Sequence, residues 1–261
     1  MASDSAVYET RLATDPRDLR AAQRLRYEVF VAELGGDGPL VDHENRLEVD
    51  EFDAIYDHLI LVDRTRDAAA LDHVVGVYRL LPGERAAAFG RFYCDGEYDL
   101  APLRASGRKL LELGRSCVHP DHRGGAAMLI LWNGLADYVL ENGIEILFGV
   151  ASFHGIDPAP LAQPLSWLHR HHLAPEGLRP RALAAHFQSM DLVPEAELDR
   201  RAAMAAMPNL IKAYLRLGGF VGEGAFIDVP FNTTDVMLLM DTSQMSEKHR
   251  EFYARRHEGR A

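Results

Sequence analysis

Apolar positions along the chain switch between a period near two and a period near three and a half, which outlines a mixed α and β domain. Residues 7–13 read as a first strand. Asp15 then stands as an N-cap, with Pro16 at the first helical position and Asp18 three residues after the cap. Leu19, Ala22, Leu25 and Val29 give that helix its buried stripe, and Gly35-Gly36 ends it. Residues 57–63 and 74–81 are apolar runs of strand length, joined by the polar DRTRDAAALD as a hairpin connection. A strand over 109–118 leads to a helix over 124–142, with Met128, Leu131, Leu135 and Val139 on one face and Gly143 after its end. A buried strand over 144–150, a helix over 208–217 and closing strands over 220–229 and 235–240 complete the pattern.

Two stretches break the rhythm. Residues 37–56, GDGPLVDHENRLEVDEFDAI, form a long polar loop, and a loop of this length in a compact domain is functional or disordered. Residues 157–205 read as a mostly helical insertion broken by Pro158, Pro160, Pro164, Pro175, Pro180 and Pro194. The expected organisation is one domain over 1–242 that includes this insertion, followed by a polar helix or tail over 243–261.

Composition narrows the function. With 261 residues, 48% hydrophobic and 26% charged, the chain is an ordinary globular protein, not a disordered or coiled-coil one. It has no apolar run of membrane-spanning length and no basic segment followed by an apolar core at its start, so a cytoplasmic location is expected. Lys and Arg total 28 against 39 Asp and Glu, a net charge of -11, which excludes nucleic acid as the expected partner. Cys94 and Cys117 are too few for a disulfide framework or a cysteine-rich metal site and are expected as free thiols; no metal is implied.

The candidate chemistry lies in three places. The segment LLELGRSCVHPDHRGG followed by AAMLILWNGLADYVL is a strand, a Gly-rich turn and a helix, a geometry that exposes backbone N–H groups to an anion. Gly114 interrupts the strand, and a bulge there would bring Glu112 and Arg115 to one face. Glu112 would then serve as a base, directly or through water, or else form a structural ion pair with Arg115. Arg26 and Phe30 are four apart on a helix, Asp50 and Asp53 lie in the polar loop, and Arg79 is a lone charge in VVGVYRLL.

The turn resembles the pyrophosphate loop of the GNAT acyltransferase superfamily, with Val118, Pro120, Arg123 and Gly124 matching and Ala126 and Met128 where small Gly or Ala residues are usual. The resemblance implies an α/β GNAT-like fold, a mixed and mostly antiparallel central sheet flanked by helices. It also implies a donor arm held by Cys117, Val118, His122, Arg123, Gly124 and Gly125. That departure from the motif suits a single pantetheine phosphate, hence an acyl carrier protein. Tyr214, ahead of Gly218-Gly219-Phe220, resembles the late Tyr of the superfamily that protonates a leaving thiolate.

The ordered set Arg26–Phe30, Asp50–Asp53, Arg79 and Glu112–Arg115 further resembles the acyl-homoserine-lactone synthases. The stretches RLRYEVFVAELG, EVDEFDAIYDHLILVD, FYCDGEYDL, LELGRSCVHPDHR and PNLIKAYLRLGG resemble the bacterial ornithine lipid N-acyltransferases more closely. That family implies N-acylation of L-ornithine by a 3-hydroxyacyl group from acyl carrier protein, with Glu112, Arg115 and Tyr214 catalytic and no bound cofactor. Arg26, Phe30, Asp50, Asp53 and Arg79 would bind the acceptor. The alternatives are a homoserine-lactone-type synthase using S-adenosylmethionine, an acetyl-CoA-dependent acetyltransferase and a membrane-perturbing protein. Trp167-Leu168-His169-Arg170-His171-His172 with Arg179 and Arg181, or Arg200-Arg201, is the expected docking patch for the acidic carrier. The same segment would also suit peripheral contact with the inner membrane.

Overall fold

The computed structural model describes residues 7–123 and 126–244. Gly124, Gly125 and the expected tail beyond residue 244 lie outside the described residues. In chain order the elements are β1 (Tyr8–Leu12), α1 (Pro16–Arg26), β2 (Asp57–Asp63), β3 (Val74–Pro82), α2 (Gly83–Phe89), β4 (Tyr98–Asp99) and α3 (Ala101–Ala105). They continue with β5 (Leu110–Val118), α4 (Ala127–Glu141), β6 (Ile146–His154), α5 (Ala162–His171), β7 (Arg181–Ala182) and β8 (Phe187–Gln188). The last are α6 (Arg200–Ala206), α7 (Asn209–Arg216), β9 (Phe220–Asp228) and β10 (Thr233–Asp241). Within the span expected as one domain the chain forms two compact units, one up to Arg85 together with Leu113–Gly143, the other Ala86–Glu112 and Ile144 onward.

The first unit is an antiparallel meander, β1–β2–β3, extended by the end of β5. All nine residues of β3 are buried, which is why its sequence runs apolar without alternation. Helix α1 packs on β2 and β3, and α4 packs on β1, β2 and β3. The cap reads as expected: Asp15 accepts from the Arg17 amide and Pro16 opens the helix. Ala21, Ala22, Leu25 and Val29 fill a cluster with Ile60, Val62, Val74, Val77 and Cys117. Beyond Arg26 the helix widens into a π-helical stretch, Tyr27–Glu33, with the Leu34 amide donating to the Val29 carbonyl. Gly35, at φ +74°, then ends it.

In the second unit the start of β5 pairs in parallel with β6, and the strand order continues β10, β9, β7, β4, with β8 beside β9. β6 and β9 run antiparallel to β10. Tyr98 is buried here; its hydroxyl lies 3.0 Å from the Gly224 and Asp235 carbonyls and accepts from the Met237 amide at 3.2 Å. The span 157–205 is less helical than the sequence predicts. Only α5 and α6 are α-helical, and 172–199 holds two-residue strands and single 3-10 turns, two of which start after Pro175 and Pro194. Proline withholds an amide and disfavours helical backbone in the residue before it, so the chain follows short turns and lends β7 and β8 to the β9 edge.

Candidate active site

Six of the residues singled out by sequence, Arg26, Phe30, Asp50, Asp53, Arg79 and Arg115, converge in the first unit, and Glu48 joins them. Arg26, the last residue of α1, pairs with Glu48 and with Asp53, the latter at 2.5 Å. Arg79, from the middle of β3, donates through Nη1 to both oxygens of Asp50 at 2.7 Å and to Asp53 at 2.9 Å. Arg115, from β5, reaches Glu48 at 3.2 Å and Asp50 at 3.7 Å, and its guanidinium lies over the Phe30 ring at 5.8 Å. Gln23 donates to the remaining Asp53 oxygen at 3.0 Å. Three guanidinium groups thus face three carboxylates, a balanced set in which Arg26 and Arg79 are fully buried.

Sequence reasoning missed Glu48. A charge count could have found it: Arg26, Arg79 and Arg115 need three counter-charges once buried, and Asp50 and Asp53 supply two. The polar loop is ordered because its apolar residues are anchors. Leu47, Phe52 and Tyr56 are buried, the Glu48 amide donates to the Gln23 carbonyl, and Asp50 caps the Phe52 amide at 3.0 Å. Burial alone would raise the Glu48 pKa, but the charges of Arg115, Arg26 and Arg79 outweigh it and hold the carboxyl at about 2. Asp53 is lowered in the same way, burial being overcome by Arg26 and Arg79. His58, whose Nε2 lies 3.0 Å from the Asp53 carbonyl, is lowered by its burial.

The irregularity expected near Gly114 falls one residue later. Arg115 has φ +48° within β5, the left-handed region that a side chain disfavours. Glu112, in the second unit, is fully buried and accepts from the backbone amides of Tyr93 at 2.9 Å and Cys94 at 2.7 Å. Tyr214, on α7 in the second unit, is 5% exposed.

The residues expected to hold the donor are arranged less openly than the motif implies. The Cys117 side chain belongs to the apolar cluster under α1, and burial pushes its thiol up to about 12. It is no nucleophile, and Cys117 has only backbone to offer a donor. Val118 is buried, and its carbonyl accepts from Arg123 Nε at 3.0 Å. The Arg123 fork is bidentate on Glu33, both bonds 2.7 Å. His122 is held between Tyr8 at 2.9 Å and Arg66 at 3.0 Å. In the expected docking patch, Arg170 pairs with Asp191, Arg181 with Glu223, and Arg200 lies over Trp167 at 5.9 Å.

Residues 25–133 match the family described as Acetyltransferase (GNAT) domain. A Rhodobacter capsulatus protein named L-ornithine N(alpha)-acyltransferase is 75% identical over 260 residues, covering 100% of both chains. The chain belongs to the L-ornithine N(alpha)-acyltransferase family. A Brucella abortus member of the same name is 39% identical over 94% of this chain and 88% of its own. As a member of this family the chain is an acyltransferase. Its fold is similar to FeeM, an N-acyl amino acid synthase from uncultured soil microbes, at a TM-score of 0.51 and 13% identity over 91% of this chain and 92% of that one. It is also similar to the acyl-homoserine lactone synthase BjaI, at 0.50 and 17% over 97% and 89%. The GNAT-like α/β fold expected from the sequence is the fold observed. Among the described residues no helix is long and apolar enough to cross a membrane.

Proposed function

We propose that the chain transfers a 3-hydroxyacyl group from acyl carrier protein to the α-amino group of L-ornithine, giving lyso-ornithine lipid. Family membership supports ornithine as the acceptor. The structural observation that supports the same acceptor is the balanced network around Asp50, Asp53 and Arg79, in which fixed charges of both signs are held in a buried setting. An acceptor bearing two ammonium groups and one carboxylate needs such a surface. Asp50 is the most exposed of the three acids and the natural partner for an ammonium.

In the proposed reaction the neutral α-amine attacks the thioester carbonyl, the C–N bond forms as the C–S bond breaks, and the amine proton leaves. Backbone N–H groups of β5, opened by the turn at Arg115, polarise the carbonyl. Glu112 receives the proton through water, since its burial and two amide bonds oppose direct contact. Tyr214 returns a proton to the pantetheine thiolate. Val118, His122, Arg123, Gly124 and Gly125 cradle the pantetheine phosphate, with Arg123 released from Glu33. The carrier protein docks on the Trp167–Arg181 segment at the cytoplasmic face of the membrane.

The test is thiol release from 3-hydroxyacyl carrier protein. Release that needs both ornithine and the carrier, with an N-acyl product by mass, is the expected result. Release only with S-adenosylmethionine, or with acetyl-CoA in place of the carrier, overturns it.

A further inference from the structure

Arg79 is fully buried, yet only part of its guanidinium is used. Nη1 carries the bonds to Asp50 and Asp53. Nε and Nη2 are buried and have no hydrogen-bond partner among the described residues. Buried charged donors left in this state are costly, by about 1–3 kcal/mol each or more. The Tyr56 ring packs against the guanidinium at 4.5 Å from its centre, a contact that does not consume an N–H.

Gly114 marks where this edge points. A methyl group built on its Cα would have Arg79 Nε, Arg79 Nη2 and the Tyr56 hydroxyl as its nearest neighbours, each at 3.8 Å. The backbone at Gly114 is not in the left-handed region, so conformation does not demand glycine there. The glycine faces the two unpartnered donors, and it lies on a half-buried stretch of β5.

We infer that the Nε–Nη2 edge of Arg79 seats the α-carboxylate of the acceptor amino acid on the side that faces Gly114. The inference rests on the acceptor proposed above and assigns one of its groups to one edge of one residue. Two coplanar N–H groups match the two oxygens of a carboxylate, whereas a thioester carbonyl would occupy one. Charge points the same way. Three cations and three anions already cancel in the network, so an added phosphate would leave an uncompensated charge, while an amino acid brings its own ammonium with its carboxylate.

The test compares L-ornithine with L-ornithinamide as acceptors for the same acyl carrier protein, and needs no variant. The expected result is a KM for the amide raised about 10- to 100-fold, the loss of a charge-assisted bidentate contact. The lower pKa of the amide's α-amine supplies more neutral nucleophile, which works against that result and so strengthens it. Gly114→Ala, whose methyl meets the edge at ordinary contact distance, is expected to raise the KM for ornithine about tenfold with the thermal midpoint little changed, and to narrow the gap between the acceptors. Equal KM values for the two acceptors on the wild-type protein, or a normal KM in a folded Gly114→Ala, overturn the assignment and leave ornithine as the acceptor. Turnover of neither acceptor by the wild-type protein overturns the acceptor proposal and this inference with it.

Discussion

The loop 37–56 and the stretch 172–199 both lack long regular elements, yet they are held by opposite means. The loop is pinned from inside by charge, through Glu48, Asp50 and Asp53 on three arginines. The other stretch is pinned by neutral bonds. Ser166, fully buried on α5, accepts from the Leu192 and Val193 amides at 2.9 Å each, while the pairs Arg170–Asp191 and Arg181–Glu223 are partly exposed. A buried charge cannot drift from its partner without a large penalty, whereas a surface bond is readily exchanged for water. The first arrangement fixes side chains closely enough for recognition. The second holds a surface in place while leaving its side chains adaptable.

Removing one cation from the network should therefore have the largest effect. Arg26→Ala takes one of two arginine partners from each of the buried acids Glu48 and Asp53 and is expected to cost roughly 3–5 kcal/mol in urea denaturation. A loss below about 1 kcal/mol would show that the network does not fix the loop.

Acid should find the same weakness. Glu48 is lowered from 4.5 to about 2, so its stabilising contribution is complete above the ordinary value and is lost as pH falls through the folded one. Asp53 moves in the same direction. Stability should fall between about pH 4.5 and 2, and Glu48→Gln should flatten that slope in the same titration. An unchanged slope would place the acid sensitivity elsewhere.

Ser166→Ala orphans two amides and should cost about 1–3 kcal/mol, seen as faster hydrogen exchange and proteolysis near Leu192 with the loop 37–56 unaffected. Arg170→Ala should change stability by less than about 1 kcal/mol, and added salt should erase the difference. Least of all, Cys117→Ala should keep most of the catalytic rate, because a thiol pushed up to about 12 inside an apolar cluster does no covalent chemistry. Loss of the rate in a folded Cys117→Ala would revive an acyl-enzyme.

Much of the fold is legible in the chain. The strand expected over 57–63 is β2 residue for residue, because charged residues bound a continuous apolar run. The Asp15-Pro16 start is likewise as expected, since a cap is written in two adjacent residues. Arg26, Asp50, Asp53, Arg79 and Arg115 can be gathered as a set, but Glu48 looks like one acid among many in a polar loop. The partners of Glu112 are backbone amides, which carry no residue signature. The proline-rich stretch misleads because alanine and leucine favour helix while the prolines between them forbid its continuation. The π-helical stretch is invisible in the sequence, since seven residues are too few for apolar spacing to separate its period from that of an α-helix.

That stretch has a consequence for how this chain can change its length. A π turn is in effect an α-helix that has taken up one additional residue. Deleting one of Tyr27–Glu33 would give up that additional residue: the helix closes to the ordinary spacing and the chain beyond it keeps nearly its direction relative to Arg26. The loop that delivers Glu48, Asp50 and Asp53 would then still start in phase with the arginines it must meet. This segment therefore holds one residue of slack: it absorbs a single deletion, whereas the same deletion within Pro16–Arg26 turns the chain beyond it by about 100°.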